Sequence, residues 1–125
     1  MSYLYILFAS LVISLTSITD VPHSQIESAF NRNSSDGIVS LSKEKVLINI
    51  FGKEGAYSHS QANLVLKDFF SKKPNGAFTF IFKGKESENG TFSIGNYTHQ
   101  GTVMRVTIHF KKESSGFLIE TLTIE

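Results

Sequence analysis

Apolar and polar residues alternate along the second half of the chain with the two-residue period of β-strands. Three short turn-like segments interrupt the alternation, at Asn89-Gly90, Gln100-Gly101 and Ser114-Ser115-Gly116. Asn-Gly favours a two-residue hairpin loop because both residues tolerate a positive φ, and the Gly of the third segment suits a three-residue loop. The pattern predicts a four-stranded antiparallel meander at the C-terminus.

Counting outward from each turn predicts which residues of the meander face one another. The first turn places Phe82 opposite Tyr97, and the second places Tyr97 opposite Met104. The third places Ile108 opposite Leu122. A one-residue slip at any turn would scatter the apolar side chains over both faces, so their agreement on one face supports the meander. That face is predicted to hold Phe78, Phe80, Phe82, Tyr97, Met104, Val106, Ile108, Phe110, Leu122 and Ile124.

Two glycines in the strands predict that the sheet is strongly curved. The same count puts Gly84 opposite Gly95 on the apolar face. Paired glycines in strands weaken side-chain packing and usually mark a bend or a close approach of the backbone.

Two stretches in the first half have the 3.6-residue period of amphipathic helices. Residues 20–32 begin with Asp and Pro, which favour the start of a helix, and carry Ile26, Ala29 and Phe30 on one face. Residues 58–71 open with Ser-His-Ser-Gln, which matches a capping box. We expect these helices to cover the apolar face of the sheet.

The residues between the two helices predict one strand. Residues 45–51 are apolar on both faces and rich in β-branched side chains, which indicates a strand buried on both sides. Residues 52–55 are predicted to form a turn, and residues 38–42 allow at most one helical turn.

The N-terminal segment from Tyr3 to Ile18 carries no charge and no amphipathic pattern. It is short for a membrane span, and its length and the small residues before Asp20 are typical of a secretory signal peptide, although no basic residue precedes the apolar run. We predict a signal peptide over 1–19 and one domain over 20–125. An uncleaved anchor, which would bring membrane contact, and a core element are the alternatives.

Composition and charge argue against several classes of function. The net charge is +1, without the concentrated positive excess of a nucleic-acid binder. The absence of cysteine excludes disulfides, thiolate catalysis and cysteine-based zinc sites. The four histidines, at positions 23, 59, 99 and 109, do not stand at metal-ligand spacing. We therefore predict no metal site, no cofactor and no nucleic-acid partner.

The order of elements resembles the nuclear transport factor 2-like superfamily, an α+β cone in which N-terminal helices pack on a strongly curved antiparallel sheet. The segments Gly52–Ser58, Gln61-Ala62 and Leu66–Phe70, with the closing run Leu118–Glu125, are similar to a narrower group within it. That group consists of small exported bacterial proteins of unknown function. The resemblance implies a fold and an exported, periplasmic or extracellular setting. It implies no catalytic residues, because a shared fold does not supply a function.

Enzymes of the superfamily work inside the cone, so the polar residues predicted on the inner face are the candidates for chemistry. Glu120 is predicted opposite Phe110, where a buried carboxylate could act as a general base. The alternative is that Glu120 lies near a strand end and reaches water. Tyr57 is expected either to pack as a hydrophobic staple on the following helix or to close the mouth of the cone. The predicted ligand-binding residues are Tyr57, Tyr97, Glu120 and, near the rim, His99, and Ser93 is a further polar residue of this face.

The opposite, outer face of the meander mixes threonines and charges with apolar side chains. If bare, its apolar residues would form a larger patch than a monomer usually exposes, which favours a homodimer through this face. Scattered apolar exposure is the alternative. The predicted dimer or partner face comprises Ile81, Phe92, Ile94, Arg105, Thr107, His109, Ile119 and Thr121.

Two functions remain open from the sequence. The first is non-enzymatic binding of a small apolar ligand or a protein partner, favoured because no paired catalytic groups are evident. The second is a small enzyme of the isomerase or dehydratase type, in which Glu120 works with Tyr97 or Tyr57 in proton transfer.

Overall fold

The fold is an α+β arrangement of three helices and six strands, given by a computed structural model that describes residues 20–125. The predicted signal peptide over 1–19 lies outside the described residues and stays a prediction. Within 20–125 no helix is long and apolar enough to cross a membrane. The elements in chain order are α1 (His23–Asn31), α2 (Ser35–Val39), β1 (Ser42–Ile50), β2 (Lys53–Ser58), α3 (His59–Lys72), β3 (Ala77–Lys83), β4 (Thr91–His99), β5 (Thr102–Glu113) and β6 (Gly116–Ile124).

The strands form one sheet in the order β2-β1-β6-β5-β4-β3. The predicted meander is confirmed as the four antiparallel strands β6-β5-β4-β3, while β1 pairs in parallel with β6 and antiparallel with β2. The predicted fold class, helices on a curved sheet with a C-terminal four-stranded meander, is also confirmed.

The core lies between the helices and the inner face of the sheet. Aromatic rings fill its centre, where Phe30 of α1 stacks on Phe78 at 4.5 Å between centroids and Phe69 of α3 lies 5.6 Å from Tyr97. The side chain of Asn31, the last residue of α1, exchanges hydrogen bonds with the backbone of Phe78. These bonds fix α1 to the edge strand β3 and occupy backbone groups that an unprotected edge would leave free. With this packing, side chains fill most of the interior of the cone, where the sequence predicts a ligand-binding site.

Two of the three predicted turn registers are confirmed. Tyr97 lies opposite Met104, and Ile108 lies opposite Leu122. The predicted capping box also exists, because Ser58 accepts a hydrogen bond from the Gln61 amide and Gln61 reaches back to the Ser58 amide.

The register predicted for the first hairpin is wrong. Phe82 lies opposite Ile94 rather than Tyr97, a β-bulge interrupts the pairing between Phe80 and Phe82, and residues 84–90 form a longer loop. Only the Gly of Asn89-Gly90 has a positive φ, so the two-residue turn that the dipeptide favours does not form. As a result Phe82 does not lie on the core face, where it was predicted. Gly95 lies opposite Phe80 and not opposite Gly84.

A second bulge corrects the predicted position of Glu120. The loop before β6 has two residues instead of three, and one extra residue in β6 restores the predicted register beyond it. Phe110 therefore faces Ile119, and Glu120 is the extra residue. Ile119, predicted on the outer face, is buried in the core, and so is Phe117.

The first half of the chain differs from prediction at β1 and β2. Val46 and Ile48 are buried, but Leu47 on the other face of β1 is 41% exposed, so the strand is not covered on both sides. The predicted turn over 52–55 is wrong, because Lys53 already begins β2. The tight turn lies one step earlier, at Phe51 and Gly52, which both have a positive φ.

Candidate functional site

A cleft of about 470 Å³ opens between the β1–β2 hairpin and the C-terminal half of α3. We call it the hairpin groove. Its volume falls within the range of small-molecule sites, about 300 to 1,000 Å³. The lining residues are Ile50, Phe51, Lys53, Tyr57, Leu64, Val65, Asp68, Phe69, Lys72 and Lys73.

The walls of the hairpin groove are mainly apolar and come from helix α3 and the β1–β2 hairpin. Helix α3 contributes Leu64, Val65 and Phe69 at a spacing that keeps them on adjoining faces of the helix. Strand β2 contributes Tyr57, whose ring lies across Gly55 two residues earlier on the same side of the strand. A Cβ at Gly55 would stand only 2.6 Å from the Tyr57 ring, so glycine is what allows the ring to lie flat. Of the four residues predicted to bind ligand, Tyr57 is thus the one that lines this cleft.

Phe51 occupies the mouth of the groove in an unusual backbone conformation. Its φ is +52° and that of Gly52 is +91°, the pattern of a type I′ turn, in which Asn-Gly is the favoured pair. The turn is held because the Phe51 amide donates to the Ile124 carbonyl and the Gly52 amide donates to Asn49 Oδ1. The Phe51 ring is 54% exposed and its centroid is 6.3 Å from that of Phe69.

The rim of the groove carries three lysines and one carboxylate. Lys72 lies 3.0 Å from Asp68 one helical turn earlier, and both side chains are mostly exposed. Among the ion pairs of residues 20–125, neither Lys53 nor Lys73 has a partner. The rim therefore presents two uncompensated positive charges beside an apolar wall.

Tyr97, predicted to bind ligand, is instead fully buried and makes three hydrogen bonds through its hydroxyl group. The hydroxyl donates to the Lys73 carbonyl at 2.6 Å and accepts from the Gly76 amide and from Asn33 Nδ2. His99 lies close by in chain position and contacts the Pro74 carbonyl through Nδ1 at 2.7 Å. Tyr97 and His99 thus fix the position of residues 73–76, the segment that follows α3. Within this segment, Lys73 lines the groove.

Glu120 lies away from the groove and from the tyrosines with which it was paired in the sequence hypothesis. Its Oε2 accepts from Lys43 Nζ at 3.1 Å across the β1–β6 junction, and its side chain is 42% exposed. The structure does not bring Glu120 together with Tyr97 or Tyr57, because the bulge in β6 turns its side chain out of the core.

A half-buried histidine contacts a buried serine, a pair that the sequence does not single out. His23 Nε2 lies 2.7 Å from the Oγ of Ser93, which is fully buried, and the His23 ring meets the edges of Phe80 and Phe110. Desolvation by burial, and to a lesser extent the charge of Lys83, lowers the pKa of His23 below its ordinary value. The sequence signal was present in part, since Ser93 was predicted on this face, but nothing indicated that α1 would bring His23 to it.

The outer face of the sheet keeps most of its predicted members. Ile81 and Phe92 are exposed and Ile94 is partly buried, opposite Thr107. His109 stacks on Phe92 at 5.6 Å. Arg105 and Thr121 also lie on this face by register, whereas Ile119 belongs to the core. Phe82 joins the face because of the bulge in β3 and lies 5.4 Å from Phe92.

Solved structures resemble this fold over most of its length. A Bacteroides ovatus protein of the DUF4783 family has a TM-score of 0.76 at 24% identity, covering 86% of this chain and 96% of its own. A Nostoc punctiforme domain of unknown function with a cystatin-like fold has a TM-score of 0.64 at 16% identity, covering 82% and 70%. A nuclear transport factor 2-like protein of unknown function from Shewanella oneidensis has a TM-score of 0.61 at 14% identity, covering 81% and 90%.

These similarities establish the fold, and the sequence establishes the family. No functionally curated protein matches the chain. A family model described as "Domain of unknown function (DUF4783)" matches residues 23–125. The chain therefore belongs to the DUF4783 family, and its fold is similar to that of nuclear transport factor 2-like proteins, as the order of its elements had indicated.

Proposed function

We propose that this domain is a non-enzymatic binding protein whose hairpin groove takes a small, largely apolar ligand. The observation that carries the proposal is Phe51, an exposed aromatic side chain held at the mouth of the groove in the left-handed conformation. For a bulky residue that conformation costs about 1 to 2 kcal/mol, and such strain persists mainly where the surrounding structure over-determines it.

Packing alone does not explain why Phe51 adopts this strained backbone conformation. A residue buried in the core could offset backbone strain by removing apolar area from water, but the Phe51 side chain remains 54% exposed. Asparagine would suit the turn better, since it tolerates the left-handed region and Asn-Gly is the favoured pair there. A role in contacting a ligand accounts for an aromatic ring at this position.

The arrangement of polar groups supports binding over catalysis. The Glu120 carboxylate is paired with Lys43, and the Tyr97 hydroxyl group already makes three hydrogen bonds. In the described part of the chain, the polar side chains that line the groove are Tyr57, Asp68 and three lysines. Asp68 pairs with the exposed Lys72 and not with a group that would orient it as a general base. The enzyme hypothesis based on Glu120 therefore loses its geometric basis.

The variant Phe51→Asn tests the proposal with the neutral fluorescent dye Nile red as probe. We expect Nile red to bind the wild-type domain and to bind Phe51→Asn more weakly, by about tenfold for a loss near 1.4 kcal/mol. Thermal stability should change little, because relief of backbone strain offsets the lost contact with Phe69. Val103→Asn is the control, since Val103 is 59% exposed on the other side of the sheet, where it lies opposite Thr98. Absence of dye binding, or equal loss in the control, would overturn the proposal.

We propose as a second, separate role that the outer face joins two copies of the domain. The supporting observation is the contiguous exposed cluster of Phe82, Phe92 and His109, with Ile94 beside it. A second copy is the occupant we favour because the face is dominated by threonines and apolar groups, which can meet their own copies without charge repulsion. Sedimentation of the wild type, compared with that of Phe92→Lys, tests whether the domain dimerises through this face. A wild-type monomer at high concentration would contradict the proposed dimer.

A further inference from the structure

We infer that the ligand of the hairpin groove is an amphiphile with an anionic head, of the class of free long-chain carboxylates. The inference rests on the proposed function and adds the chemistry of the head group. Its basis is the asymmetry of the cleft, in which an apolar wall ends at a positively charged rim.

The apolar part of the groove suits a chain rather than a compact polar molecule. Its walls are formed by Ile50, Val65 and Phe69, with the rings of Phe51 and Tyr57 on the hairpin side. The cleft is open to solvent, and an apolar chain lying along these side chains would remove apolar area of both partners from water. A cleft of about 470 Å³ is large enough for a ligand of modest size.

The rim supplies the positive charge that such a ligand needs. Lys72 is neutralised locally by Asp68 at 3.0 Å, which leaves Lys53 and Lys73 available at the rim. These two lysines come from different elements, Lys53 from the start of β2 and Lys73 from the end of α3. Both residues line the cleft, so its rim presents positive charge from the hairpin side and from the helix side.

The end of α3 would ordinarily oppose an anion, because its free carbonyl groups carry partial negative charge. Here the carbonyl at the very end, that of the capping residue Lys73, accepts a hydrogen bond from the Tyr97 hydroxyl at 2.6 Å. The helix end is therefore less repulsive toward a carboxylate than a bare terminus would be.

Competition between two probes with the same chain tests the head group. Dodecanoate and dodecanol, each below its aggregation limit, are titrated against Nile red bound to the wild-type domain at low and high salt. We expect dodecanoate to displace the dye at lower concentration than dodecanol, and the difference to shrink at high salt because salt screens exposed charges. If the two probes displace the dye equally well, the inference is wrong while the proposed function stands. If the dye does not bind at all, the proposed function itself is wrong.

The double variant Lys53→Gln/Lys73→Gln identifies the charges responsible. We expect it to weaken the binding of dodecanoate by up to about fivefold per lysine, the range of an exposed ion pair. The affinity for dodecanol should not change. Lys111→Gln/Lys112→Gln at the far end of β5 changes the net charge equally and is the matched control. Equal loss of dodecanoate affinity in the control would show that only overall charge acts, and would overturn the assignment to this rim.

Discussion

The Tyr97 hydroxyl donates a 2.6 Å hydrogen bond to the carbonyl of Lys73, and this bond connects the aromatic core to the rim of the hairpin groove. The same oxygen accepts from the Gly76 amide and from Asn33 Nδ2, so it joins three segments of the chain. The position of Lys73 at the groove is thus set by a residue that is itself fully buried.

Removing this hydroxyl group should destabilise the domain. In Tyr97→Phe the ring and its packing remain, but the Lys73 carbonyl, the Gly76 amide and Asn33 each lose a partner. We expect a loss of about 1 to 3 kcal/mol in the free energy of unfolding, measured by urea denaturation. Tyr57→Phe is the matched control, because Tyr57 lines the open groove, and it should stay within about 0.5 kcal/mol of the wild type. Equal losses in the two variants would contradict this account of Tyr97.

The stability of the domain should fall in acid because of His23. Burial lowers the pKa of His23 below its ordinary value of 6.5, so the unfolded chain takes up a proton more readily than the folded one. The contribution of neutral His23 is therefore fully present above about pH 6.5. It is lost progressively as the pH falls from 6.5 toward the lower pKa of the folded state. Midpoints of urea denaturation measured across this window should decrease with falling pH.

Variants at two histidines separate this effect from general acid sensitivity. His23→Gln should flatten the pH dependence over the window, because the titrating group that faces Ser93 and Lys83 is gone. His109→Gln on the outer face is the control and should keep the wild-type slope. An unchanged slope in His23→Gln would exclude His23 as the cause.

The bulge in β6 can be tested by comparing two neighbouring residues. Ile119 is 1% exposed, so Ile119→Ala should cost about 2 to 5 kcal/mol of unfolding free energy. Glu120 forms a half-exposed ion pair with Lys43, so Glu120→Ala should cost about 1 kcal/mol or less. The register expected from the sequence puts Ile119 on the outer face, and it predicts a loss of no more than about 0.5 kcal/mol for Ile119→Ala. Chemical denaturation of both variants decides between them.

The same bulge shows how far the sequence could predict this fold. Turn chemistry and alternation set the pairing of Ile108 with Leu122 correctly, because a two-residue loop plus one extra residue gives the same register as the predicted three-residue loop. Between the turn and the bulge, however, every side chain is on the opposite face. A bulge leaves no pattern of its own in the sequence, so alternation could not reveal it.

The candidate site was less predictable than the fold for a related reason. Tyr57 was identified as a ligand-binding residue, but Phe51 was assigned to a strand buried on both faces. The Phe51-Gly52 turn lacks the Asn-Gly signature of its type, so the hairpin between β1 and β2 was not recognised from the sequence. Without that hairpin there was no groove to predict.

Gly55 controls the orientation of Tyr57, and Gly55→Ala should show it. An added Cβ would stand 2.6 Å from the Tyr57 ring, which must then move away from β2. The contact is with the end of a mobile side chain rather than with backbone, so we expect the free energy of unfolding to change by no more than about 1 kcal/mol. The displaced ring would enter the hairpin groove that it now lines, and Nile red affinity should fall severalfold. Ala56→Ser, at the next and exposed position of β2, is the control and should bind the dye normally. Normal dye binding by Gly55→Ala would mean that the position of the Tyr57 ring does not shape the site.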